Sequence, residues 1–161
     1  MNDEHVQRVF VSVRLVVVAL AAGTIAFASL SGFLVAGGAI TWQPQQAGTL
    51  LPVLVLAALG AASGYVVLRR AIAANLRRSY QTQADRDAPP VPLVSGYQTL
   101  TILGAARAEG PGLFGVVVFL RTGQWVALAV PAVSLAALAL LFPTRDKLAR
   151  FVVQVTGEPM R

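Results

Sequence analysis

Long apolar runs limit what this chain can fold into more than any other feature of its sequence. The first run extends from Val9 to Gly37 and contains one charged residue, Arg14. A hydrocarbon core about 30 Å thick takes about 20 helical residues to cross, so this run can span it with some tilt. Only 12% of the 161 residues are charged, whereas an average soluble domain carries about 25%. The sequence therefore predicts an integral membrane protein.

We predict an all-α fold, a single membrane domain over residues 1–161 in which four transmembrane helices form two antiparallel hairpins. The predicted spans are residues 9–37, 50–70, 97–120 and 125–142. The first run could also be a signal peptide, because AFA at Ala26 to Ala28 resembles a cleavage site. The run is longer than the apolar region of such peptides, which favours a retained span.

Two polar segments connect or follow the spans. Residues 79–94 form a predicted solvated loop, since Pro89, Pro90 and Pro92 oppose helix formation there. Residues 143–161 form a tail in which four apolar residues recur at helical spacing: Leu148, Phe151, Val152 and Val155. Such a tail either lies along the membrane surface as an amphipathic helix or is free and disordered.

The basic residues predict the orientation in the membrane. One side of the four-span arrangement carries eleven of them and the other side carries Arg121 alone. The eleven are Arg8, Arg14, Arg69, Arg70, Arg77, Arg78, Arg86, Arg145, Lys147, Arg150 and Arg161. Because cytoplasmic loops are enriched in lysine and arginine, both termini are expected in the cytoplasm. The bias towards alanine, valine and arginine indicates a bacterium with a GC-rich genome, hence the inner membrane.

Small residues recur at four-residue spacing in two of the predicted spans. Gly60 and Gly64 form one pair, and Gly104, Ala108 and Gly112 form a ridge in the third span. Such residues let membrane helices approach closely. The ridges therefore predict helix packing, either within the bundle itself, which we favour, or against a partner subunit or a second copy of the chain.

Two charges lie within the third predicted span, Arg107 and Glu109. Residues two apart on a helix point about 200° away from each other, so these two cannot form a same-face ion pair. A charge inside a membrane costs roughly 2.5–3.5 kcal/mol on insertion scales, which makes each one a candidate functional residue. A glutamate can stay protonated in apolar surroundings, whereas an arginine keeps its charge.

The backbone next to these charges predicts a helix kink. Pro111 lacks an amide hydrogen and disturbs the carbonyl of Arg107, while Gly110 and Gly112 weaken the helix around it. A carbonyl freed beside a carboxyl group could join a proton or cation site. Alternatively, the polar residues Gln98, Thr99 and Thr101 place this part of the helix in headgroups or against a partner. Both charges would then be structural.

The segment ILGAARAEGPGLFGVVVFL, residues 102–120, resembles the carboxylate-bearing helix of the c subunit (proteolipid) of rotary ATPases. In that family a run of small residues leads to Ala-x-Ala-Glu-Gly, followed by aromatic, glycine and valine positions. The resemblance covers nineteen residues. It implies that Glu109 is an ion-carrying carboxylate and that the loop before this helix is cytoplasmic.

The residues that usually carry enzyme chemistry are scarce. The chain has no cysteine, and its one histidine, His5, lies in the polar N-terminal segment. We find no paired carboxylates or nucleophile–base set, so we expect no catalytic residues, no metal site and no cofactor. The net charge of +6 fits anionic lipid better than nucleic acid.

Three classes of function follow from these observations. The leading hypothesis is a non-enzymatic accessory or structural subunit of a larger membrane protein complex. The second is a proteolipid-like protein that translocates protons or cations through Glu109, with Arg107 as a gating charge or countercharge. The third and weakest is an enzyme that acts on lipid.

Overall fold

A computed structural model describes residues 3–82 and 91–157, and its regular structure over these residues is helical. Five α-helices follow in chain order: α1 (Asp3–Ala36), α2 (Ala47–Thr82), α3 (Val91–Thr122), α4 (Ala129–Leu141) and α5 (Arg145–Thr156). Short 3-10 helices at Pro44–Gln46 and Trp125–Leu128 lead into α2 and α4. The all-α bundle predicted from the sequence is therefore confirmed, with a fifth helix in the predicted tail.

Within residues 3–82 and 91–157, three helices are long and apolar enough to cross a membrane: Gln7–Ala36, Pro44–Ser79 and Leu93–Thr122. A fourth candidate is the pair Trp125–Leu141 and Arg145–Thr156, which is bent by 75° at its break. Four 3-10 residues and thirteen α-helical residues precede that break and extend about 27 Å, close to the thickness of the hydrocarbon core. By helix length and hydropathy the chain is a multi-pass membrane protein with three to four spans.

The helices extend beyond some of the predicted limits. α2 continues to Thr82 and α3 already begins at Val91, so both ends of the predicted loop 79–94 are helical. Pro92 lies in the first turn of α3, where proline is tolerated because the first backbone amides of a helix have no partner within it. The loop residues 83–90 lie outside the described residues.

α3 is the central helix, since it packs against α1, α2 and α4. It runs antiparallel to α2, so that Leu54 of α2 lies in one apolar cluster with Phe119. It runs parallel to α1, because Phe10 near the start of α1 contacts Tyr97 near the start of α3, with ring centroids 6.4 Å apart. α4 returns antiparallel to α3 and contacts α1 through Leu138 and Val17.

The bend between α4 and α5 is held by two basic side chains. Pro143 cannot donate a backbone hydrogen bond. Lys147 Nζ donates to the carbonyl oxygens of Leu140 and Phe142 at 2.7 and 2.8 Å, which satisfies the exposed end of α4. Arg14 Nε of α1 donates to the Pro143 carbonyl at 3.4 Å. These bonds fix the point at which the chain turns away from the membrane-spanning direction.

α5 packs on the protein, so residues Arg145–Thr156 of the predicted tail are neither free nor bound to the membrane surface through their apolar side. Its four apolar residues, Leu148, Phe151, Val152 and Val155, are 2–6% exposed. They join one cluster with buried residues of α1 and α3: Phe10, Leu93, Val94, Tyr97 and Leu100. Thr144 caps the helix by accepting a hydrogen bond from the Lys147 amide. α5 thus closes one end of the bundle.

The opposite end of the bundle is tied together by backbone and ring contacts. The Gln43 amide donates to the Arg121 carbonyl at 2.8 Å. Gly123 has a φ of +69°, and a methyl group on it would come within 2.6 Å of the Trp42 ring. The Phe119 and Trp125 rings lie 5.0 Å apart. These contacts join the α1–α2 connection to the α3–α4 turn.

Candidate functional site

Arg107 lies at the middle of the third span and contacts α2. It is the fifteenth of the thirty residues from Leu93 to Thr122. Its guanidinium group rests on Gly64, where an added Cβ would lie 2.9 Å from Arg107 Cζ and closer still to Nη1. The absence of a side chain at Gly64 therefore makes room for the guanidinium group, which lines a groove between α2 and α4.

Glu109 lies at the same depth but contacts α1. Its Oε1 atom is 3.7 Å from the position that a Cβ on Gly23 would occupy, and the side chain is half-buried. The structure therefore does not bring Arg107 and Glu109 together. They lie on different sides of α3, as the two-residue spacing predicts, and within the described residues neither takes part in an ion pair.

The glycines and the alanine singled out by their spacing occupy different environments. Gly104 packs under Tyr65 of α2, and Gly112 packs against Ser134 of α4, where an added Cβ would be 2.6 and 2.9 Å from the nearest atoms. Ala108 contacts the α1–α4 cluster. Gly60, in contrast, has open space around it. α3 passes through Gly110, Pro111 and Gly112 as one helix, and the kink predicted there stays a prediction.

A groove between α2 and α4, with α3 as its floor, lies beside Arg107. Its volume is about 600 Å³. Apolar side chains form its walls, among them Ala61, Val66, Val133 and Ala137, and Arg107 is the charged residue in its lining. Sequence reasoning missed this groove. The available signal was the run of small residues from Ala57 to Gly64, which leaves space beside α2.

A second groove of about 570 Å³ continues from the first towards α5. The two share Tyr65 and Val66. The second is lined by basic residues at the end of α2, Arg69, Arg70 and Arg77, and by Gln154 of α5. Arg69 Nη2 donates to Gln154 Oε1 at 3.2 Å. We call the two together the α2–α4 groove, with an inner apolar part and an outer basic part.

The described basic residues cluster at the end of the bundle that α5 closes, which we call the basic end. Arg8 and Arg14 begin α1, Arg69, Arg70, Arg77 and Arg78 end α2, and Arg145, Lys147 and Arg150 lie on α5. Arg121 lies at the opposite end, beside Gln43. Arg86 and Arg161 lie outside the described residues. The charge separation behind the orientation prediction is thus present in the fold, and the cytoplasmic location of the basic end stays a prediction.

Among the residues that the structure describes, no other helix covers one side of α3. Apart from Arg107, its exposed residues fall within an arc of about 80° on a helical projection. They are Ser95, Thr99, Leu103, Ala106, Gly110, Val117 and Arg121. We call this the open side of α3. Glu109 lies at its edge, next to α1.

No protein-family model, curated protein or solved structure matches this chain. The likeness of residues 102–120 to the proteolipid helix therefore rests on those nineteen residues alone. The fold around them also differs from a simple hairpin, since α1 and α4 both pack against α3.

Proposed function

We propose that this protein is a non-enzymatic subunit that assembles with other membrane helices through the open side of α3. The observation that supports the proposal is that the central helix of the bundle is uncovered along one side over most of its length. Ala106 and Gly110 lie at the middle of that side, and a methyl group on Gly110 would meet no atom within 4 Å. Small residues at such positions allow a second helix to approach closely.

Glu109, at the edge of the open side, favours the hypothesis that a protein rather than lipid alone covers this side. Glu109 is half-buried at the middle of the span. A carboxylate at this depth is stabilised by a hydrogen-bond donor or a cation. A partner helix that packs on Ala106 and Gly110 would reach the carboxylate, so the same contact would supply both close packing and a polar partner.

Site-specific photocrosslinking in native membranes tests the proposal. A benzophenone amino acid at Leu103 or Val117, both 41% exposed on the open side, should give a discrete protein adduct. The controls are Leu15 of α1 and Leu59 of α2, which are 65% and 61% exposed and point elsewhere. An adduct of twice the chain mass would identify a homo-oligomer. Lipid adducts alone at all four positions would contradict the proposal.

The ion-translocation hypothesis has one supporting observation, the packing of the Glu109 carboxyl group against Gly23 of α1. This contact holds the carboxyl group against a neighbouring helix at the middle of the span, where a protonated carboxyl group costs less than a charged one. A hydrophobic carbodiimide, which modifies protonated carboxyls in apolar surroundings, should then label Glu109 in native membranes, and labelling should fall as the pH rises. A liposome flux that persists in Glu109→Gln would exclude this function.

A further inference from the structure

The α2–α4 groove combines two environments that match the two parts of a membrane lipid. The inner part, beside α4, is apolar along both walls and lies within the span. The outer part, beside α5, presents three arginines, Arg69, Arg70 and Arg77. The two parts meet at Tyr65 and Val66, so one elongated molecule could occupy both.

We infer that this groove binds one anionic phospholipid, with its phosphate at the three arginines and an acyl chain along the inner part. Basic pockets between membrane helices are the sites at which anionic headgroups bind. Arginine suits phosphate because its planar guanidinium group can donate two parallel hydrogen bonds. This site is distinct from the open side of α3, so lipid binding can be tested independently of the proposed assembly.

The charges around the outer part favour an anion. No aspartate or glutamate contributes to the lining of either part, as far as the described residues show. Arg69 is held in place by its hydrogen bond to Gln154. Because α5 is anchored by its buried apolar residues, this bond ties Arg69 to a fixed helix at the lining of the outer part.

Arg107 places a further positive charge in the inner part of the groove, deeper than the three arginines of the outer part. Its guanidinium group lies on Gly64, one residue before the junction at Tyr65. Arg69 follows Gly64 by five positions, a distance of about 7.5 Å along the helix. The Arg107 guanidinium group lies at the middle of the span, so in the proposed complex it is deeper than the phosphate and beside the acyl chain.

Native mass spectrometry of the full chain in a non-ionic detergent tests the headgroup. The probes are phosphatidylglycerol and phosphatidylcholine with identical acyl chains. Phosphatidylglycerol should be retained preferentially, and Arg70→Gln with Arg77→Gln should weaken its binding by about fivefold for each arginine removed. The charge-matched control is Arg145→Gln with Arg150→Gln, which lie exposed at the same end but outside the groove. An equal loss in both double variants would overturn the site in favour of diffuse surface attraction.

A second pair of variants tests the acyl chain. Ala62 lines the inner part, whereas Ala57 is exposed on α2 and does not line it. Ala62→Phe should lower phosphatidylglycerol retention at least fivefold and Ala57→Phe should leave it unchanged. Inorganic phosphate and glycerol 3-phosphate should not displace the lipid. Tight binding of inorganic phosphate, together with full lipid retention in Ala62→Phe, would overturn the lipid site and leave a headgroup-sized anion site.

Discussion

The guanidinium group of Arg107 occupies the space that a side chain at Gly64 would fill. A Cβ on Gly64 would lie 2.9 Å from Arg107 Cζ. The position of the one charge in the apolar groove is therefore set by a glycine on the neighbouring helix. Any larger residue at Gly64 must displace the end of the Arg107 side chain.

Substitution at Gly64 should disturb this contact, whereas the same change at Gly60 should not. We expect Gly64→Val to lower the free energy of unfolding by about 0.5–1.5 kcal/mol, because the added side chain must push the flexible Arg107 side chain out of its preferred rotamer. Gly60→Val is the matched control, since Gly60 has no atom within 4 Å of an added Cβ. Thermal unfolding of the purified variants in one detergent measures the difference. Equal melting temperatures would show that the guanidinium group is free to move away.

Two glycines of α3 should respond to alanine with opposite signs. At Gly115 an added Cβ would lie 2.6 Å from Pro131 Cδ and 2.9 Å from the Ala127 carbonyl oxygen. Gly115→Ala should therefore cost about 1–3 kcal/mol of stability. Gly110 has open space, so Gly110→Ala should be neutral or stabilise the purified chain by up to about 1 kcal/mol through helix propensity. In thermal unfolding, a Gly115→Ala variant as stable as the wild type would contradict the described α3–α4 contact, and destabilisation by Gly110→Ala would contradict the open space at Gly110.

The attachment of α5 should depend on Phe151, whose ring lies 5.7 Å from that of Tyr97. Phe151 is 6% exposed and Val153 is 44% exposed on the same helix. Phe151→Ala should cost about 3–5 kcal/mol of local stability and expose Lys147 and Arg150 to trypsin. Val153→Ala should leave cleavage near the wild-type rate. If the two variants were cleaved equally fast, the tail would not be docked through this ring.

Topology can be tested with single cysteines, because the chain contains none of its own. Gln45 and Gln124 are exposed at the end opposite the basic end, and Asp146 is exposed on α5. In intact cells a membrane-impermeant maleimide should label Gln45→Cys and Gln124→Cys, whereas Asp146→Cys should react only after permeabilisation. Labelling of Asp146→Cys in intact cells would reverse the predicted orientation.

The helices were predictable from the sequence, and most of the tertiary arrangement was not. The apolar run of α1 and the helical spacing of Leu148 and Phe151 follow from local pattern. The docking of α5 does not, because an amphipathic helix pairs equally well with lipid or with protein. The separation of Arg107 from Glu109 followed from helix geometry alone. The groove did not, since it depends on how far α2 and α4 lie apart across α3.

The central place of α3 sets the order in which the protein can acquire its structure during synthesis. α1 and α2 each pack mainly against α3 rather than against each other. From the end of α2 at Thr82 to the end of α3 at Thr122, forty residues remain to be made, which takes about 2–8 s at cellular translation rates. During that interval α1 and α2 are in the bilayer without α3, the helix against which both pack. If translation ended after α2, the resulting fragment would therefore lack α3 and be accessible to quality-control proteases. The α3–α4 hairpin, in contrast, has contacts between its own two helices as soon as it is inserted.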